Sequence, residues 1–198
     1  MSRPSHANER RKKLLPIIAQ TFADLGYRRA TTGELGKRCK VRQNILYRLW
    51  PDKKAMFVAS IEYVYELSAE VWIRLLAEGD DGLRPAERLL QYEVEHHGKT
   101  GLQRLVFAGL NETDDPAVRK ALSNMYRRFH QFIGEQISAY RDDDRQTRRP
   151  DAELSAWAVI GLGTLDSIAK ELGLLRPGER KRFFADVGRL LIEGRPAN

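Results

Sequence analysis

VRQNILYRLWPDKK, residues 41–54, holds the key to this chain. Three polar side chains, Arg42, Gln43 and Asn44, precede an Ile-Leu-Tyr-x-Leu-Trp run that stops at Pro51. Leu46 and Leu49 are spaced to share one helical face, which leaves Tyr47 and Arg48 on the outer side. A helix made only for packing has no need of that polar start. The pattern predicts a short helix whose N-terminal end is inserted into something else.

Upstream, Leu14, Leu15, Ile18, Phe22 and Leu25 form one helical stripe closed by Gly26. Pro16 lies inside it, so the helix is expected to kink there or to be properly formed only from Leu15 onward. TTGE at 31–34 reads as a capping box, with Thr31 capping and Glu34 reaching back, ahead of a short helix with Leu35 and Cys39 inward. A turn at Lys40 and Val41 leads into the opening segment. Asp52 is the expected N-cap of a long helix running to about Glu78, and GDDG at 79–82 ends it.

Beyond it, Leu83, Ala86, Leu90, Val94 and His97 make a stripe, and the apolar segment GLQRLVFAGL follows. Val118, Leu122, Met125, Phe129, Phe132, Ile133 and Tyr140 mark another helix. RDDDRQTRRP at 141–150 reads as a charged, solvated connector. The segment 152–174 is apolar nearly all round, which predicts burial on more than one side. The last helix, 177–193, shows Phe183, Phe184, Val187, Leu190 and Leu191 on one face. No strand-like alternation of useful length occurs, so the expected fold class is all-α.

The 198 residues suffice for a small domain and a larger one. No run approaches the roughly 20 apolar residues of a membrane span, and the N-terminus lacks the apolar core of a secretory signal. The single cysteine, Cys39, rules out an internal disulfide and suits a reducing cytoplasm, where a small buried apolar role is expected for it. The net charge of +7 is unevenly spread: residues 1–60 carry fourteen Lys/Arg against four Asp/Glu, whereas the remainder carries twenty against twenty-three. A basic head on a mildly acidic body points to a polyanion or to a solvated basic face, and charge alone leaves both readings open.

Three short helices with a tight turn between the second and third describe a helix-turn-helix unit. In such a unit the last helix enters the DNA major groove with its N-terminal residues at the base edges. Arg42, Gln43 and Asn44 stand there, the residue types that pair with guanine O6/N7 and adenine N6/N7. Tyr47 and Arg48 are placed to reach phosphates. Lys53 and Lys54 bring charge and free N–H groups at the next helix start, and Thr31 or Thr32 offers a further phosphate hydroxyl.

These residues resemble the N-terminal domain of the TetR family of bacterial regulators: Phe22, Gly26-Tyr27, Thr31-Thr32, Leu35, Val41, Leu46-Tyr47, Trp50, Lys53 and Phe57 occur in order and without a gap. The likeness covers about residues 10–60. The family often has Gly-Val-Ser where this chain has Lys40-Val41-Arg42, at an expected cost of about 1 kcal/mol each for the turn and the lost cap. Gly36 replaces the usual Ala and permits a closer crossing, and Asn44 stands where a small residue is common. The resemblance implies a DNA-binding domain at 1–55 and a helical ligand-sensing and dimerisation domain at 56–198. It further implies a homodimer paired through its last two helices, here 152–174 and 177–193, and a palindromic operator.

The candidate dimer contacts are Val159, Ile160, Leu165, Val187 and Leu191. A pocket for a mostly apolar small-molecule effector is expected among Trp72, Tyr92, Glu93, His97, Phe107, Met125, Phe129 and Trp157, although each aromatic also fits an ordinary core. His96 and His97 point about 100° apart on a helix and cannot readily share a metal, so one exposed and one inward histidine are expected. GLG at 161–163 follows no strand and reads as a close helix crossing. Neither cofactor nor metal is expected, and no nucleophile accompanies Glu93 and His97 to make an enzyme. The expected function is a cytoplasmic repressor released from duplex DNA by its effector. A ligand-independent regulator, an activator, a nucleoid-type protein with little sequence preference, and a partner-binding helical protein are the alternatives.

Overall fold

The computed structural model describes residues 6–77, 82–142 and 150–194, and they form nine helices. These are α1 (His6–Arg29), α2 (Thr32–Arg38), α3 (Gln43–Leu49), α4 (Lys53–Ala77), α5 (Pro85–His96), α6 (Gln103–Leu110), α7 (Pro116–Asp142), α8 (Ala152–Leu172) and α9 (Pro177–Glu193). The chain is all-α. GDDG apart from Gly82, and most of the 141–150 connector, lie outside the described residues.

The helices pack as two units. One joins Met1–Leu67 to Gly101–Met125, and the other joins Ser68–Thr100 to Tyr126–Asn198. Packing therefore divides elsewhere than at the expected 55/56 boundary, and α4 and α7 each contribute residues to both units.

In the first unit Ile18, Phe22, Leu35, Leu46, Met56, Phe57 and Ile61 are fully buried. Phe22 meets Phe57 edge-on at 4.9 Å, and Tyr27 closes the cluster at 4.8 Å from Phe57. Helix α1 lies along α6, where Leu105 and Val106 are also buried. Of the two expectations for Pro16, a helix formed only from Leu15 onward is corrected: α1 starts at His6 and includes Pro16. Its one non-helical residue is Gly26 (φ 72°), after which a last turn continues to Arg29. A proline inside a helix forfeits one backbone bond, and burial of Ile18, Ala19 and Phe22 just beyond it offsets that loss.

In the second unit Ala86, Ile137, Tyr140, Ala156 and Ile192 form a core cluster, with Leu90, Ile133, Ala152 and Val159 against it. Val159, half-buried, thus packs at the edge of this core within the single chain. Leu83 precedes α5 and is exposed, so the stripe begins at Ala86. On α9 the inward residues are Phe184, Gly188 and Ile192, whereas Leu190 faces out. The apolar count alone misplaced that face, because a glycine sits at its centre.

Helix α8 inverts the usual arrangement. Its buried residues are small or polar: Ser155, Ala156, Gly163, Asp166, Ser167 and Ala169, with Leu162 the exception. Its large apolar side chains, Leu154, Trp157, Leu165 and Leu172, are exposed and fall on one face. Buried Asp166 is ion-paired with Arg180 of α9 through both carboxylate oxygens. Arg141 donates to the carbonyls of Leu191 (2.7 Å) and Ile192 (2.9 Å) and to Ser155 Oγ (2.9 Å), which caps the C-terminal end of α9 with a cation.

Candidate nucleic-acid interface

Helix α3 begins at Gln43 because Arg42 adopts an extended N-cap backbone (φ −69°, ψ 147°), and no side chain caps it. Leu46 and Leu49 are buried, and Trp50 closes the helix with its N–H on the Leu46 carbonyl at 2.8 Å. Arg42, Gln43, Asn44, Tyr47 and Arg48 are all exposed, on the surface that this anchoring leaves outward. The Gln43 side chain lies over α2, since a β-carbon at Gly33 would stand 3.2 Å from its Nε2.

Two devices set the angle of α3. Lys40 takes the left-handed conformation (φ 54°), and Val41 N–H donates to the Gly36 carbonyl at 2.9 Å. At the other end Arg11 of α1 donates through Nε to the Leu49 carbonyl at 2.8 Å, satisfying the helix terminus. Arg11 has no sign of this role in the sequence: an arginine less than one turn ahead of the apolar stripe carries no visible signal of its partner.

Thr31 caps α2, accepting the Glu34 N–H at 3.2 Å. The reciprocal half of the capping box is replaced, because Glu34 instead accepts from Arg38 Nε at 3.2 Å. Thr32 follows, half-buried. Asp52 caps α4 as expected, accepting the Ala55 N–H at 2.7 Å. The two lysines beside it are engaged within the protein. Lys53 donates to the Tyr27 carbonyl at 3.0 Å and lies over the Tyr27 ring at 4.3 Å. Lys54 pairs with Asp115 at 2.9 Å, and Arg28 with Glu112 at 3.3 Å. The hydrogen bond to Asp115 holds the Lys54 ammonium charged above its ordinary range and lowers Asp115 in turn.

Four of the expected effector-pocket residues gather in the second unit. Trp72 Nε1 donates to Glu93 Oε1 at 2.8 Å, and His97 Nδ1 donates to Glu93 Oε2 at 3.0 Å. Phe129 meets Trp72 edge-on at 5.6 Å, and Phe132 stacks on it at 5.1 Å. His97 Nε2 donates onward to the Gly163 carbonyl at 2.9 Å. Both ring nitrogens thus face acceptors, the arrangement of an imidazolium. Burial alone pushes His97 down, but Glu93, the Gly163 carbonyl and the Asp166 charge outweigh it and raise the group. Gly163 is where the ring enters, since a β-carbon there would sit 3.0 Å from His97 Cε1.

The other expected pocket residues are placed differently. Phe107 and Met125 belong to the first packing unit. Tyr92 stacks on exposed His96 at 4.2 Å, and Trp157 is 47% exposed, stacked on His130 at 4.5 Å. Trp157 is therefore corrected from pocket to outer face.

Residues 18–60 match the model of bacterial regulatory proteins, tetR family. The nucleoid occlusion factor SlmA of Aliivibrio fischeri is 26% identical over 129 residues, which cover 65% of this chain and 66% of that protein, just under two thirds of its length. Among solved structures, a TetR-family transcriptional regulator from Cytophaga hutchinsonii superposes with a TM-score of 0.79 over the whole of both chains at 14% identity. A regulator-fold protein from Saccharomonospora viridis in complex with choline gives 0.74 at 17% identity, covering 90% of this chain and 95% of that one. At such identities the structural likenesses speak for the fold.

Proposed function

We propose that this chain is a transcriptional regulator of the TetR family, a cytoplasmic repressor that binds a palindromic operator as a homodimer and leaves it when a small, mostly apolar effector binds. The observation that carries the DNA reading is α3 itself: Arg42, Gln43 and Asn44 stand exposed ahead of buried Leu46 and Leu49, with Arg11 holding the far end. Arg42 and Asn44 read base edges, with Gln43 beside them, while Tyr47 and Arg48 reach phosphates. Thr31 and Thr32 offer hydroxyls to the backbone. Lys53 and Lys54 reach it only by leaving their partners in the protein.

Homodimerisation is supported by the exposed Leu154, Trp157, Leu165 and Leu172 of α8 and Leu190 of α9. Such a contiguous apolar stripe on an otherwise charged protein marks an interaction site. Ile160, Val187 and Leu191, half-buried in the single chain, line its edge. The effector reading rests on Trp72, Phe129 and Phe132 beside Glu93 and His97, an apolar body with one polar end. The choline complex of a similarly folded protein supports a small molecule in this role. Helix α4 carries Lys53 and Lys54 in one unit and Trp72 in the other, and it transmits the effector's differential affinity. Two recognition helices must lie about 34–36 Å apart to enter successive major grooves, so a few ångströms of movement spoil the fit.

A second reading, DNA binding with little sequence preference, is favoured by the likeness to a nucleoid occlusion factor. One titration separates the two. The protein is mixed with its own upstream region and with a mixed-sequence duplex, each at two salt concentrations. A repressor prefers the first, and Arg42→Ala then costs about 1–3 kcal/mol and relaxes one position. Equal, steeply salt-dependent binding selects the second reading. No binding to either duplex removes both.

A further inference from the structure

No side chain in the first two turns of α1 is buried. Residues 6–13 are all exposed, and the first buried side chain is Leu14. Eight residues of helix, about 12 Å, therefore project ahead of the core they lead into. This stretch carries Arg10, Arg11, Lys12 and Lys13 against the lone carboxylate of Glu9.

Arg11 is accounted for, since it holds the Leu49 carbonyl at the end of α3. That bond also places Arg11 beside the last turn of α3. Arg10, Lys12 and Lys13 have neither a hydrogen-bond nor an ion-pair partner among the described residues. In the same unit Arg28, Arg38 and Lys54 are each tied to a carboxylate. Charge, position and exposure agree on one kind of occupant.

We propose that Arg10, Lys12 and Lys13 on the first two turns of α1 form a second DNA surface that grips phosphates flanking the bases read by α3. This rests on the reading of α3 as the DNA-contacting helix and extends the footprint without adding sequence information, because phosphate contacts position and do not specify. The surface acts on affinity and on the salt dependence of binding, for operator and random duplex alike.

The test uses the full chain with Arg10→Gln, Lys12→Gln and Lys13→Gln combined, on its own upstream region and on a mixed-sequence duplex of about three helical turns, with Arg42→Ala on the upstream region as reference. Each phosphate contact contributes a log–log salt slope of about 0.9. The triple variant should therefore lose between about two and three units of slope and bind roughly 10- to 100-fold more weakly near physiological salt. Its melting temperature should stay close to that of the wild type, since all three side chains are exposed. Wild-type slope and affinity in the triple variant, with Arg42→Ala still weakened, would overturn this surface and leave the DNA reading standing. A wild type that ignores the duplex at low salt would remove the DNA reading itself. If the triple variant loses binding to vesicles of anionic phospholipid but keeps its DNA slope, the partner is a membrane and the proposal fails.

Discussion

Gly36 occupies the point where α2 meets the turn into α3. A β-carbon there would stand 2.9 Å from the Val41 carbonyl oxygen, a backbone atom that cannot swing aside. Gly36→Ala should therefore destabilise the protein by about 1–3 kcal/mol, although alanine is the better helix former by about 1 kcal/mol. Urea unfolding checks this, and an unchanged or higher midpoint would show that the turn relaxes freely. His97 is the residue with the clearest pH signature. Its folded-state group is raised by Glu93 and the Gly163 carbonyl against the pull of burial. A raised histidine stabilises the fold fully below the ordinary value of about 6.5, and the gain is lost as pH climbs through the higher folded value. The melting temperature should fall over that window and lose this component in His97→Gln. The same variant leaves Glu93 without its cation, so a drop of several degrees even at pH 6 is expected.

Among the elements, the start of α4 and the segment before α7 are joined by charge. Asp115 both caps α7, accepting the Ala117 N–H at 2.8 Å, and holds Lys54 at 2.9 Å. Exposed pairs of this kind contribute little to stability, so the consequence to look for is in binding. Asp115→Asn keeps the cap and releases Lys54 to a phosphate. The salt slope for duplex DNA should steepen by about one unit, and adding Lys54→Ala should return it. An unchanged slope in Asp115→Asn would mean that Lys54 stays clear of the DNA. The Asp166–Arg180 pair between α8 and α9 is different in kind, being buried. Its sequence signal was an aspartate inside an otherwise apolar helix, a position where a carboxylate requires a paired cation.

At the scale of the whole molecule, the two faces of α8 make separable predictions. Leu165 is 48% exposed, so Leu165→Glu should fold and sediment as a monomer where the wild type sediments as a dimer, and should bind operator poorly. Val159, half-buried, packs on the Ile137–Tyr140 cluster, so Val159→Glu should instead lower stability by about 1–3 kcal/mol by setting a charge against that core. Dimeric Leu165→Glu, or a wild type that is monomeric at micromolar concentration, would move the interface off α8.

The helix-turn-helix and its outward residues were legible in the sequence because they depend on local rules. Thr31 and Asp52 cap their helices, Leu46 and Leu49 fix the inward face of α3, and the polar start follows from periodicity. The start of α1 and the true faces of α8 and α9 were not legible. Exposed basic residues extend α1 without a periodic mark, and on α8 and α9 the close contacts fall on Gly163 and Gly188, which apolar counting skips. The chemistry of the second unit lay further out of reach. Glu93 and His97 sit four residues apart and were expected in one pocket, but Trp72 and the Gly163 carbonyl arrive from 21 and 66 residues away. Local order is set by hydrogen bonds and side-chain spacing within a few residues of chain. The charge state of His97, the pairing of Asp166 and the tie on Lys54 depend on which distant groups packing brings within 3 Å, and only the tertiary structure decides that.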